Sequence, residues 1–206
     1  MTVFVDHQER RNTILEHAFE LFAEEGYNGV TYQKIADRCH ISRTSIYKYF
    51  KDKDQIFIFA IKQSTDKISE LLKRVLNRHD LTTVDKIRRA LHLTVKLFSE
   101  NRIFLSVILN YLMNQKQTGA NIRRKVRRHT FGLKIFLSRL IQEAVLNRQF
   151  RPVNPDLVTA QLYAILESYV LNLTVMEMMD WKDCLQLMNF CLDEYVTEKP
   201  GNTRKR

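Results

Sequence analysis

Glycine and proline are scarce in this chain, five and three among 206 residues. So few turn-forming positions argue against a fold of many short strands, and alternating apolar and polar runs are scarce as well. The three cysteines, Cys39, Cys184 and Cys191, are odd in number and include no C-x-x-C pair. That fits three packed thiols in a reducing compartment better than a disulfide framework. None of the six histidines stands at helical spacing from another, so a zinc site would have to be assembled from distant pieces, and no metal is expected. No stretch of 18 uncharged apolar residues occurs, and the opening "MTVFVDHQERR" carries no apolar run before a small-residue cleavage site. The expectation is a cytoplasmic protein with no membrane partner. A Gly-rich phosphate loop and a nucleophile elbow are both missing, so no catalytic residues and no cofactor are expected, and the chain reads as a non-enzyme.

What is present points to helix. Apolar residues make up 45% of the chain, enough for a substantial core, and they recur at three and four positions almost throughout. The fold class is all-α, with about nine helices. The net charge of +10 raises the question of nucleic acid, but its location matters more than its size. Residues 1–55 hold eight Lys/Arg against nine Asp/Glu, while the remainder holds 25 against 14. Within the N-terminal quarter the charge is polarised. Arg38, Arg43, Lys48, Lys51 and Lys53 face only Asp52 in one segment, and Glu16, Glu20, Glu24 and Glu25 gather upstream.

The periodicity predicts a first helix over Glu9 to Glu25, ended by Gly26. Thr31 caps a short second helix, "HIS" makes a tight turn, and Ser42 caps a third helix over Arg43 to Tyr49. Two short helices joined by a turn of three or four residues form a helix-turn-helix unit. Asp52, with Gln55 three residues on, opens a fourth helix to about Arg78. Further helices are predicted over Thr83 to Glu100, Phe104 to Leu112, Asn121 to Asn147, Asp156 to Met176 and Trp181 to Val196. The helices divide into a helix-turn-helix head over 1–52 and a larger helical body over 53–198. A basic tail over 199–206 is expected to be disordered.

On a helical wheel of the third helix, Ile46 and Phe50 are the inward anchors. Thr44, Ser45, Tyr47 and Lys48 lie on the other side, with Arg43 and Tyr49 at the border. Short hydroxyls let a helix approach base edges, Arg or Lys can donate to guanine, and tyrosine hydroxyls donate to phosphate; this is a surface suited to a major groove. Tyr49, next to the core, either joins that surface or packs between helices. Lys53 in the first turn of the fourth helix reads as a phosphate clamp, because free backbone N–H groups there already favour an anion.

The stretch Arg11 to Ala60 carries A-x-x-L-F-x-x-x-G-Y, then T-x-x-x-I-A, then I-S-x-x-x-I-Y-x-Y-F-x-x-K-D. It resembles the N-terminal DNA-binding domain of the tetracycline-repressor (TetR) family of bacterial transcription regulators. The resemblance implies an all-α homodimer with a three-helix DNA-binding head and a larger body, here 53–198, for ligand binding and dimerisation. It also implies DNA contacts from Thr31, Tyr32, Arg43, Thr44, Tyr47, Lys48, Tyr49 and Lys53. His40 stands where the family commonly has Gly in the turn, and His is among the residues that tolerate a left-handed backbone.

In the body, two apolar C-terminal helices suggest a four-helix bundle between subunits, with Leu162, Ile165, Tyr169, Leu173, Leu185, Met188 and Leu192 at the dimer interface. A fully internal hairpin is the competing reading. An aromatic stripe is core by default; the resemblance to the family implies instead that an effector cavity is lined from among Phe98, Phe104, Leu105, Ile108, Tyr111, Leu112, Phe131, Tyr163 and Glu167, and its largely apolar wall predicts a hydrophobic small-molecule effector. Arg123, Arg124, Arg127 and Arg128 form either a solvated face or a seat for an anionic head group such as the phosphates of an acyl-coenzyme A. The expected function is a ligand-responsive regulator, a repressor by resemblance, binding a pseudo-palindromic double-stranded DNA operator as a homodimer. The alternative is a helical adaptor for a protein or an acidic surface.

Overall fold

The computed structural model describes residues 2–114, 120–176 and 179–197, and apart from one isolated β-bridge their regular structure is helical. The described residues form α1 (Thr2–Gly29), α2 (Tyr32–Arg38), α3 (Arg43–Tyr47), α4 (Lys53–Leu76), α5 (Thr83–Glu100), α6 (Arg102–Asn114), α7 (Ala120–Leu146), α8 (Pro155–Leu171) and α9 (Trp181–Asp193). The chain divides into two compact units, residues 1–68 with 101–130 and residues 69–100 with 131–206. No helix of the described residues is long and apolar enough to cross a membrane.

The first unit is built on the apolar stripe of α1. Ile14, Leu15, Ala18, Leu21 and Phe22 pack with Ile35 and Ala36 of α2, Ile46 and Phe50 around α3, Ile56, Phe57 and Ile61 of α4, and Phe104, Val107 and Tyr111 of α6. Phe57 meets Phe22 edge-on at 4.8 Å between centroids and Tyr111 at 4.5 Å, so one ring joins three helices. Emptying that position to alanine would cost about 3–5 kcal/mol. α1 starts seven residues before the expected Glu9, since neither Gly nor Pro precedes Gly26 to stop it. At Gly26 the backbone takes φ 71° and ψ 170°, a conformation open essentially to glycine alone, and the helix breaks there as expected.

The turn between α2 and α3 closes with paired bonds, Ile41 N–H to Ala36 O at 3.0 Å and His40 N–H to Asp37 O at 3.2 Å. This is a Schellman end, and it puts His40 in the left-handed region at φ 53°. Thr31 and Ser42 cap α2 and α3 through bonds from Lys34 N and Ser45 N at 3.3 and 3.2 Å. α3 ends at Tyr47, two residues short of the expected Tyr49, with Lys48 as its C-cap.

The second unit has its own core. Val84, Ile87, Leu91 and Val95 of α5 face Leu137, Leu140, Ile141 and Ala144 of α7, together with Val158, Leu162, Leu166 and Tyr169 of α8 and Cys184, Met188 and Leu192 of α9. Each set recurs every three or four residues, the signature of one buried stripe per helix. Asn154 caps α8 by accepting from Asp156 N at 2.9 Å, with Pro155 at the first helical position. α8 was expected to continue to Met176. Instead it changes at Leu171 into a π-helical turn over Asn172–Met176, where Thr174 Oγ1 donates to Val170 O at 2.7 Å and Asn172 Nδ2 to Ser168 O at 2.9 Å. Side chains competing for backbone carbonyls loosen that last turn. Beyond α9 the chain pairs with the loop after α7: Arg151 N donates to Tyr195 O at 2.8 Å and Thr197 N to Gln149 O at 2.9 Å.

Candidate nucleic-acid interface

The helix-turn-helix presents one face of α3 outward. Ile46 and Phe50 are buried as anchors, whereas Arg43, Thr44, Tyr47 and Lys48 are exposed, Tyr47 to 48%. Ser45 is half-buried, and its hydroxyl lies 2.8 Å from that of Ser42, which also holds the Thr44 hydroxyl at 2.8 Å. The three hydroxyls thus form a tied cluster at the start of α3. Tyr49 sits at the far end, half-buried, with its ring 4.5 Å from that of His7 on α1. Thr31 is exposed, its side chain engaged in capping.

Two predicted contacts are placed differently. Lys53 turns inward, and its ammonium donates to Tyr27 O at 2.9 Å and Val30 O at 3.0 Å while lying 4.3 Å from the centre of the Tyr27 ring. Desolvation pushes its pKa down, against the attraction of Asp54. With two of its three N–H groups on backbone carbonyls, Lys53 ties α4 to the end of α1 and is not positioned as a phosphate clamp. Tyr32 stacks on Tyr47, with centroids 4.5 Å apart and planes 20° from parallel, and its hydroxyl is shielded from solvent. It offers a ring to its neighbour and no donor to a phosphate. Burial raises the pKa of the Tyr32 hydroxyl, as does the nearby Tyr47.

The cations also sort themselves. Arg38 forms a two-pronged contact with Glu24, at 3.2 and 2.7 Å, and approaches Glu20 at 3.8 Å. That hydrogen bond holds the Glu24 carboxyl below its usual value. Lys34 pairs with Glu25 and donates to Gly29 O at 3.1 Å. The acidic stripe of α1 therefore neutralises the cations of α2 and braces that helix. Arg43, Lys48 and Lys51 remain exposed, so within residues 38–53 the outward positive charge lies on α3, at its C-cap and in the loop before α4. Lys51 was not among the predicted contacts, although it closes the same cationic segment.

Asp52 and Gln55 cap α4, with Gln55 N donating to Asp52 Oδ1 at 2.6 Å and Lys51 N to Gln55 Oε1 at 2.7 Å. Among the described residues no group of three or more His, Cys, Asp or Glu could hold a metal ion.

Residues 14–58 match the family described as bacterial regulatory proteins, tetR family. This segment carries that family's DNA-binding domain. Over 171 residues the regulator is 23% identical to the HTH-type transcriptional regulator YhgD of Bacillus subtilis (strain 168), taking in 79% of this chain and 81% of that one. For several other HTH-type regulators the similarity spans 26% to 42% of their length. Among solved structures, FadR from Bacillus subtilis in complex with stearoyl-CoA superposes with a TM-score of 0.69 at 20% identity, over 90% of this chain and 97% of that one. AibR in complex with isovaleryl coenzyme A and operator DNA gives a TM-score of 0.63 at 19% identity, over 87% and 95%. These two likenesses establish a shared fold.

In the regulator the predicted ligand-binding residues are divided between the two units. Phe104 and Tyr111 are buried in the core of the first unit, where Phe104 lies 3.8 Å from Phe19 between ring centroids and the Tyr111 hydroxyl donates to Asp54. Ile108 packs against the same core and Leu105 is half-buried. Phe104 and Tyr111 thus have side chains of α1 and α4 as their partners. In the second unit Phe98 packs at the edge of the core, Tyr163 is half-buried with the Lys134 ammonium 5.8 Å from its ring, and Glu167 is exposed. The backbone of α7 includes Arg123, Arg124, Arg127, Arg128 and Phe131, and that of α6 includes Leu112, but their side chains lie outside the described residues, as does the tail 199–206.

The interface prediction is corrected as well. Leu162, Tyr169, Met188 and Leu192 are at most 1% exposed and fill the protomer's own core, while Ile165, Leu173 and Leu185 are half-buried against it. The apolar residues that face outward are their neighbours on the opposite stripe: Leu157 and Leu171 on α8, and Leu187 and Phe190 on α9.

Proposed function

We propose that the protein is a DNA-binding transcriptional regulator that acts as a homodimer and is released from a pseudo-palindromic operator by a small molecule. The observation that carries the reading is the outward face of α3, where Arg43, Thr44, Tyr47 and Lys48 stand exposed on a helix anchored by the buried Ile46 and Phe50. A face of cations and phenols on a braced helix fits a major groove, with cations and hydroxyls reaching phosphate and base edges. Lys51 extends the positive strip along the backbone.

Dimerisation places two such faces about 34–36 Å apart, or a multiple of that distance, and so calls for inverted half-sites. The outward stripe of Leu157, Leu171, Leu187 and Phe190 is the surface a second copy would cover. For the effector, the two acyl-coenzyme A complexes among the structural neighbours support an acyl-coenzyme A, with the Arg123–Arg128 segment as the seat for its phosphates. Effector and operator then oppose each other by linkage. Moving 99% of the protein out of the operator-binding state takes about 5.5 kcal/mol of differential affinity.

Footprinting the full chain on duplex selected from a randomised pool tests the reading. Two protected half-sites related by a two-fold axis are expected. An adaptor that recognises only protein or charge would protect no defined sequence. Stearoyl-CoA and isovaleryl-CoA, titrated with and without that duplex, test the effector: lower affinity in its presence is expected, and equal affinity would contradict the linkage.

A further inference from the structure

On α3 the guanidinium of Arg43 is already engaged before any DNA arrives. Its Nη2 donates to the Tyr47 hydroxyl, one turn on, at 3.2 Å, and its Cζ lies 5.9 Å from the centre of the Tyr47 ring. Tyr47 is in turn stacked on Tyr32, the first residue of α2 after its Thr31 cap. The three side chains form a row that runs from one helix of the helix-turn-helix to the other. Tyr32 contributes its ring to that row and not its hydroxyl, which is shielded and has no hydrogen-bond partner among the described residues.

We propose that Arg43 is the residue that specifies a base, by bidentate donation to O6 and N7 of a guanine in the major groove, and that Tyr47 and Tyr32 aim it. This rests on the regulatory reading above. Of the outward groups, Arg43 alone carries a planar fork of donors. Lys48 is a point charge on a flexible stem at the C-cap of α3, and the hydroxyls of Thr44 and Ser45 are both held by Ser42. One N–H of the guanidinium lies on Tyr47, which leaves four of its five for a base edge. The Tyr47 oxygen accepts that bond, and its own O–H remains free to donate to a phosphate. A single phenol can thereby link the reading group to the backbone register. Holding the arginine in one rotamer beforehand lessens the ordering that binding would otherwise demand, which sharpens discrimination as well as affinity.

The test measures base preference apart from overall affinity, using the full chain and a duplex selected by it from a randomised pool. In the parent protein at least one guanine per half-site should carry a penalty of about 5- to 150-fold when replaced, the range of one bidentate contact. Arg43→Lys keeps the charge and should reduce that penalty to less than about 5-fold while changing the other positions little. Tyr47→Phe should lower the same penalty several-fold and also weaken every duplex alike. Tyr32→Leu should lower the penalty without the uniform loss, and Tyr32→Phe, which keeps the ring, should restore the parent profile. If Tyr32→Leu does not fold, Tyr47→Phe still decides, because it retains the stack. An unchanged guanine penalty in Arg43→Lys, or in Tyr47→Phe, overturns the proposal. A parent protein that selects no sequence at all would instead remove the regulatory reading on which it rests.

Discussion

The hydroxyl of Tyr111 on α6 donates to Oδ1 of Asp54 in the first turn of α4 at 3.0 Å, and the hydroxyl of Tyr27, just past the break in α1, donates to the same oxygen. One half-buried carboxylate thus joins three segments that are distant in sequence. A bond to a charged acceptor contributes about 1.5–3 kcal/mol. Tyr111→Phe should lower the denaturation midpoint by a corresponding amount without creating a cavity. Asp54→Ala, which strands both phenols, should cost more than Tyr111→Phe and Tyr27→Phe taken singly. Urea unfolding curves of the three variants check the order.

Lys53 gives a prediction with two separable readouts. Because its ammonium is tied to the carbonyls of Tyr27 and Val30, Lys53→Ala should lower the melting temperature and leave the salt dependence of DNA affinity nearly unchanged. Lys51, exposed beside it, should behave the other way. Lys51→Ala should reduce the slope of log affinity against log salt by about 0.9 per subunit and spare stability. Affinities at four salt concentrations, with melting curves, distinguish the two.

Stability should fall on the alkaline side. Desolvation first, then the hydrogen bond to Asp54, raises the pKa of Tyr27 above its ordinary value of 10.0. Burial pushes the Cys39 thiol up to about 11, and the Cys184 thiol from 9.0 to about 12. Each group holds its proton more tightly folded than unfolded, so its stabilising contribution is complete below the unfolded pKa and is lost as pH climbs towards the folded one. Lys53 acts in the opposite sense, since the cost of its desolvated ammonium fades as that group deprotonates, but it is outnumbered by these groups and by Tyr32, Tyr163 and Tyr169, whose pKa burial also raises. The denaturant midpoint should therefore decline from about pH 9 upward, and Tyr27→Phe should make the decline shallower.

Two backbone positions respond to substitution for different reasons. At Gly26 an added methyl would meet nothing within 4 Å, so the cost of Gly26→Ala is conformational, about 1–3 kcal/mol. At His40 the left-handed backbone is acceptable to His but not to a β-branched residue. His40→Val should cost about 1–2 kcal/mol, and His40→Gly should be neutral or mildly stabilising. Calorimetry on the three variants checks both.

Features determined within a few residues were legible in the sequence. The caps at Thr31, Ser42 and Asp52, the break at Gly26 and the turn at His40 each depend on neighbours no more than five positions away, and each was found where expected. The sorting of long-range partners was not legible. Lys53 bonds to carbonyls 26 and 23 residues upstream, and nothing local distinguishes a lysine aimed at phosphate from one turned onto its own backbone. Phe104 and Tyr111 likewise read as part of an apolar stripe whose partner helix could not be named. For α8, apolar on nearly every side, the wheel does not say which side meets the protomer's own core; Leu162 and Tyr169 do, and Leu157 and Leu171 do not. The Tyr32–Tyr47–Arg43 row links positions that sequence spacing alone treats as independent contacts.

The central claim is that the exposed face of α3 reads DNA sequence, and the ratio of two affinities tests it most directly. At about 150 mM salt, near physiological ionic strength, the parent protein should bind its selected duplex at least about a thousand-fold more tightly than a scrambled one of equal length. Replacing Arg43 and Lys48 together by alanine should bring that ratio close to one without unfolding the protein. Equal affinity of the parent protein for both duplexes, or a ratio untouched by the double substitution, would contradict the account.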